Sequence, residues 1–213
     1  MVVGRGTSEE KRDNAYTLDW WGSGIYAGSL SSSGADYAEY FEWNDGNPQN
    51  EDRAGYFVAL EGDKIIKASS NSEVIGVIST NPAMIGDVYE WDWNGKYLKD
   101  IYGRTIYENV EIKYKNFVKN EKGEEVEIES TVLERQPKIN PEYDPSKPYI
   151  PRSDRPEWAT VGFLGKLVVI DDGTCVAGKK CSCNSNGIAT DGNKYRVLKR
   201  LDDSHIQILA NFL

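Results

Sequence analysis

The sequence predicts a mainly β protein. Apolar and polar residues alternate at period two along most of the chain. Turn signals containing Gly, Asn or Asp interrupt these runs every few residues, and no long segment has the 3.6-residue period of an amphipathic helix. The expected architecture is an N-terminal β-ribbon followed by a compact β-rich domain.

Tyr16-Thr17-Leu18-Asp19-Trp20 alternates, Trp21-Gly22-Ser23-Gly24 supplies turn chemistry, and Ile25 to Leu30 resumes an extended pattern. A two-stranded ribbon is marginal in water, so its apolar residues Tyr16, Leu18, Trp20, Ile25 and Tyr26 are expected to be covered by other chains. Tyr56 to Leu60 and Lys64 to Ala68 flank Glu61-Gly62-Asp63 as a hairpin. Val74 to Ser79 reads as a buried strand whose Gly76 marks a bulge or a close backbone approach, and Asn81-Pro82 ends it. Asn81 to Ile85 and Asn94 to Lys99 are read as one or two helical turns each. Residues 105–118 and 124–134 are strand-like around Asn120-Glu121-Lys122-Gly123. In the second of them Val126, Ile128 and Ser130 alternate with Glu125, Glu127 and Glu129, which predicts one buried and one acidic face.

Residues 135–157 hold six of the eight prolines. A segment so rich in proline is extended and polyproline-like, whereas a flexible linker would be rich in Gly and Ser. It is read as an arm on the surface, suited to lying over a neighbouring chain. Trp158 to Ile170 follows as a strand-rich stretch, and Tyr195 to Arg200 and Ile206 to Leu209 close the chain as two strands around Asp202-Asp203. No internal repeat shows, so the chain is not read as a solenoid.

The composition narrows the function. Lys plus Arg number 25 against 34 Asp plus Glu, a net charge of −9 over 213 residues, which argues against nucleic acid as a partner. Thirteen Tyr and six Trp are too many for a disordered acidic tail. No apolar run approaches the roughly 18 residues of a bilayer span, so no membrane partner is expected, and no charged-then-apolar leader opens the sequence. Cys175, Cys181 and Cys183 lie close together in sequence, and their number and spacing favour one local disulfide or free thiols over zinc. His205 is the one histidine, in an alternating run that favours a structural role. The acids of Asp171-Asp172-Gly173 and Asp202-Asp203 read as turns rather than calcium ligands, and no phosphate-binding glycine loop is present, so no metal or cofactor is expected. The aromatic cluster from Trp91 to Tyr97 suits either sugar stacking or a chain interface.

The chemistry-bearing stretch is Ser31-Ser32-Ser33-Gly34-Ala35-Asp36-Tyr37-Ala38-Glu39-Tyr40-Phe41-Glu42-Trp43. Three acids at i, i+3 and i+6 alternate with aromatics after a serine run. In a helix Asp36, Glu39 and Glu42 would share a face; in a strand Asp36 and Glu42 would share one and Glu39 would oppose them. Paired carboxylates divide acid and base work when apolar walls or a neighbour hold one of them protonated. Taken alone, such alternation is more often a solvated strand face.

Gly34 to Trp43 closely resembles the opening of the autoproteolytic intramolecular chaperone domain at the C-termini of phage and prophage tailspikes and neck appendages. The resemblance continues in Asp45-Gly46-Asn47-Pro48, Asn50 to Val58, Ile75 to Ser79, Asn81-Pro82, Tyr149-Ile150-Pro151-Arg152, Arg155-Pro156-Glu157-Trp158, Val161-Gly162, Leu164 to Val169, Asp171 to Cys175, Gly187 to Thr190 and Tyr195 to Arg200. It implies a homotrimer whose residues 34–213 form the chaperone domain and whose residues 1–33 end a β-helical spike or fibre. It implies release of the domain by self-cleavage near its own N-terminus, on a virion tail assembled in the bacterial host cytoplasm. By position, Asp36 and Glu39 match the acidic pair, with Glu42 as substitute. The scissile bond falls at Ser32–Ser33 or Ser33–Gly34.

Two mechanisms fit these residues: carboxylates activating water and protonating the leaving nitrogen, or a serine hydroxyl attacking the preceding carbonyl with acid assistance. The competing function is a trimeric receptor- or glycan-binding tip that is never released.

Overall fold

A computed structural model describes residues 1–4, 6–11, 13–19, 22–88, 95–119, 122–123 and 125–212. Among the described residues the chain is mainly β, and its one helical element is a 3-10 turn at Arg152–Asp154. The N-terminal strands β1 (Val2–Gly4), β2 (Asn14–Leu18) and β3 (Gly24–Tyr26) make a three-stranded antiparallel sheet of their own. Tyr16 and Tyr26 stack there at 4.7 Å, while Ile25 and Tyr26 stay exposed. Trp20 lies outside the described residues, as do Tyr89 to Asn94 and the Asn120-Glu121 part of the expected turn.

The main sheet holds ten strands. They are β4 (Asp36–Glu42), β5 (Phe57–Glu61), β6 (Lys64–Lys67), β7 (Val74–Ile78), β8 (Met84–Gly86), β11 (Trp158–Ile170), β12 (Lys180–Cys183), β13 (Ala189–Asp191), β14 (Tyr195–Arg200) and β15 (His205–Asn211). The longest, β11, organises the rest. Its first half pairs with β4 and β7, and its second half pairs with β15. Both faces are covered, so Phe57, Val58 and Ala59 of β5 are all buried although they point alternately to opposite sides. Phe57 joins Val77, Leu167, Val169, Ile206 and Ile208 in one cluster; Val58 joins Trp43, Ile65, Val161 and Phe163 in the other. Gly76 meets the expected close approach: a Cβ there would lie 2.4 Å from Val161 Cγ1.

The loop between β4 and β5 is pinned by Arg53. Its guanidinium donates to both oxygens of Asp45 at 2.9 and 2.7 Å and to Glu51 at 2.9 Å, and it lies 4.4 Å from the Trp43 ring. The neighbouring Arg53 charge and hydrogen bonds hold the Asp45 carboxyl below its usual range. The three cysteines are free and buried.

Three expectations need correction. Residues 84–86 form β8, paired in parallel with β4, rather than a helical turn. Residues 96–99 are likewise not helical, with Tyr97 bridged to Ile139 and Lys99 to Thr105. Residues 84–86 lie along the edge of β4 and residues 96–99 bond across to residues 105–106 and 138–140, and this bonding outweighs weak local helix preference. The hairpin of β9 (Tyr107–Lys119) and β10 (Glu125–Pro137) is regular over thirteen pairs, yet Val126 and Ile128 are 42% and 43% exposed, so the predicted buried face is open to solvent in the single chain. Among the described residues nothing covers Val126 and Ile128, and period two reports a difference between faces without supplying a cover. The proline-rich stretch returns along its own chain, where Arg152 bonds Asp87 at 2.6 Å and sits 3.8 Å from the Trp158 ring.

Candidate active site

The acid motif is a strand, so of the two geometries open to it the extended one holds. Asp36 and Ala38 point inward and are buried, whereas Tyr37 and Glu39 point to the other side. Asp36 and Glu39 of one chain are therefore not brought together. Glu39 accepts a hydrogen bond from the Tyr37 hydroxyl against β8. Glu42 is ion-paired with Lys64 at 2.7 Å, an arrangement that occupies it structurally.

Asp36 has the most perturbed surroundings of the three acids. It is 6% exposed. Its Oδ1 accepts a hydrogen bond from the Ser79 hydroxyl at 3.1 Å, while Oδ2 has no partner among the described residues. A buried carboxylate loses hydration that one hydroxyl cannot replace. Burial accordingly pushes the Asp36 carboxyl above its ordinary value, and the Ser79 hydrogen bond offsets part of the rise.

Gly162 of β11 makes room for this carboxyl. A Cβ there would lie 2.6 Å from Asp36 Oδ2 and 2.5 Å from Leu167 Cδ2. Phe163 is the extra residue of a bulge that shifts the β4–β11 register just beyond Gly162, so β11 carries both the gap and the bend beside Asp36.

A cleft of about 360 Å³ opens beside the carboxyl, lined among others by Ser33, Asp36, Ser79, Asn81, Lys166 and His205. Ser32 and Ser33 are exposed, and Ser32 Oγ accepts from the Gly34 amide at 3.2 Å. Gly34 is pressed against the 82–83 backbone, where a Cβ would stand 2.3 Å from the Pro82 carbonyl carbon. The Ala35 carbonyl accepts from Lys166 and the Asp36 carbonyl from Ala83, at 3.3 and 2.7 Å. The chain is thus anchored immediately downstream of the serine run. His205 turns its Nδ1 onto Asp202 at 2.9 Å.

Sequence reasoning singled out Asp36, Glu39, Glu42, Ser32, Ser33 and Gly34, but not Ser79 or Gly162. Ser79 lies 43 positions from its partner, at the exit of a strand whose pattern signals only burial. Gly162 and Ser79 both stand in stretches that carry the family resemblance, but nothing in those stretches marks either as a neighbour of Asp36.

A family model described as Peptidase_G2, IMC autoproteolytic cleavage domain, matches residues 8–203. The pre-neck appendage protein of Bacillus phage B103 is 40% identical over 165 residues, covering 78% of this chain and 17% of that protein. The putative phage-related protein YobO of Bacillus subtilis (strain 168) is 36% identical over 183 residues, covering 84% of this chain and 20% of its own length. The chain therefore spans a fifth or less of these curated relatives. Among solved structures, pre-mature bacteriophage phi29 gene product 12 superposes with a TM-score of 0.72 at 31% identity, over 93% of this chain and 24% of that one. The C-terminal fragment of the same gene product superposes at 0.62 with 34% identity, over 82% of this chain and 99% of the fragment.

Proposed function

The chain belongs to the Peptidase_G2 family of IMC autoproteolytic cleavage domains, and from that premise we propose that it is the self-releasing chaperone end of a phage or prophage appendage. It drives three copies of a β-helical tail spike or fibre together and then cuts itself away between residues 31 and 34. The appendage names of its relatives support a virion role.

The observation that carries the chemistry is Asp36, a buried carboxyl with one bonded oxygen and one unpartnered oxygen, beside a cleft that Ser33 also lines. Burial favours the protonated form, which makes Asp36 the proton donor to the leaving amide nitrogen. Glu39 is the proton acceptor for the attacking water. The water oxygen bonds to the scissile carbonyl carbon, the C–N bond breaks, and the amine leaves with the Asp36 proton. A bond two to five residues upstream of Asp36 lies roughly 7 to 18 Å away along an extended chain. That distance, and the opposite orientations of Asp36 and Glu39 on β4, support catalysis between neighbouring chains of a homotrimer, which would tie cutting to assembly.

The test is the intact mass of the purified chain before and after incubation, with the fragment's N-terminus sequenced. Loss of the first 31 to 33 residues supports the reading, and Asp36→Asn or Glu39→Gln should stop it without preventing trimer formation. A single uncut mass from a stable trimer would overturn it in favour of a permanent binding tip.

A further inference from the structure

We propose that Ser79 is a positioning residue for the self-cleavage, one that fixes the orientation of the Asp36 carboxyl beside the cleft; this rests on the reading of Asp36 as proton donor. The two oxygens of a carboxyl are equivalent in water, and either can carry the proton. Here they are made different. Ser79 Oγ donates to Oδ1 at 3.1 Å and so holds the carboxyl from that side. Among the described residues Oδ2 has no hydrogen-bond partner and is closed to solvent, so the Ser79 bond is the carboxyl's one polar tether. The bare Cα of Gly162 leaves the gap in which Oδ2 sits.

Ser79 is itself held. Its amide donates to the Thr160 carbonyl at 3.0 Å, and the Thr160 hydroxyl donates to the Ser79 carbonyl. This two-way link ties the residue after β7 to β11, the strand that carries Gly162, so both sides of the Asp36 carboxyl are set by one rigid unit.

The charged and titratable groups around this carboxyl are Lys166 of β11 and His205 of β15, which line the same cleft, and Tyr37 and Glu39 on the opposite face of β4. None of them hydrogen-bonds Asp36 among the described residues. Ser79 is the group whose removal changes the carboxyl directly.

The experiment measures the first-order rate of fragment appearance against pH for the full chain and for Ser79→Ala, Ser79→Thr and Asp36→Asn. A donor that works when protonated loses rate as pH rises through its own titration. The Ser79 hydrogen bond holds that titration down, so Ser79→Ala should move the falling limb to higher pH while slowing the plateau about 10- to 100-fold through misorientation. Ser79→Thr keeps the hydroxyl and should restore both. Parent-like rates in Ser79→Ala, or a slower rate with an unmoved limb, would overturn the assignment of Ser79 alone. Parent-like cutting by Asp36→Asn would instead remove the reading on which it rests. If Ser79→Ala fails to fold, Ser79→Cys preserves the volume with a weaker donor and reads the same limb.

Discussion

Adding one methyl group at Gly162 is expected to disable cleavage while leaving the chain folded. The new Cβ would stand 2.6 Å from Asp36 Oδ2 and 2.5 Å from Leu167 Cδ2, about 0.8 to 0.9 Å inside ordinary contact distance. Neither neighbour yields easily. Leu167 is 2% exposed within the larger core cluster, and the carboxyl is tethered to Ser79 through its other oxygen. Overpacking a filled core costs about 1 to 3 kcal/mol. That lowers the folding equilibrium constant about 5- to 150-fold, within the 5 to 15 kcal/mol that domains usually hold. The folded population would therefore stay above nine-tenths for a domain of ordinary stability. A carboxyl displaced by most of an ångström, however, loses its line to the scissile bond, and a misplacement near 1 Å costs about 100-fold in rate. Urea unfolding and the rate of fragment appearance, measured on the same preparation of Gly162→Ala, separate the two effects. Parent-like cutting in Gly162→Ala would refute the placement of the Asp36 carboxyl over this glycine, whatever happened to stability.

Asp36→Asn should melt higher than the parent at pH 7. Burial raises the folded-state titration of Asp36, so the unfolded chain ionises first; the resulting penalty starts near the ordinary carboxylate value of about 4 and grows as pH rises. Thermal melts should show the advantage shrinking toward pH 4, and an equal loss of melting temperature at both pH values would contradict it. Glu42→Gln breaks only a partly exposed ion pair with Lys64, so cleavage should continue near the parent rate; complete arrest would move the acidic role to Glu42. Burial pushes the Cys181 and Cys183 thiols up to about 11 and raises Cys175 further, so alkylation at pH 8 should be negligible in the native chain and complete after denaturation; rapid native labelling would contradict this. Light scattering at micromolar concentration should report three chain masses, covering the apolar residues exposed on β9 and β10, and a monomer would refute the trimer.

The sequence by itself determined the strand content, most strand positions and the acidic motif, because these depend on local pattern. Side chains alternate along an extended chain, turn residues carry their own backbone preferences, and Asp36, Glu39 and Glu42 are adjacent in the text. It also contained the consequence that a strand would turn Glu39 away from Asp36, without deciding between strand and helix. Partnership was left to the tertiary structure. β8 is a strand because β4 offers it an edge, although its own residues read as a helical turn. The alternating face of β10 is open because no element among the described residues lies over it. Asp36 differs from the other two acids only through Ser79, 43 positions away, and through the missing side chain of Gly162, 126 positions away. Desolvation and hydrogen bonding depend on what the folded chain brings within a few ångströms, and local pattern carries no record of contacts made across such separations.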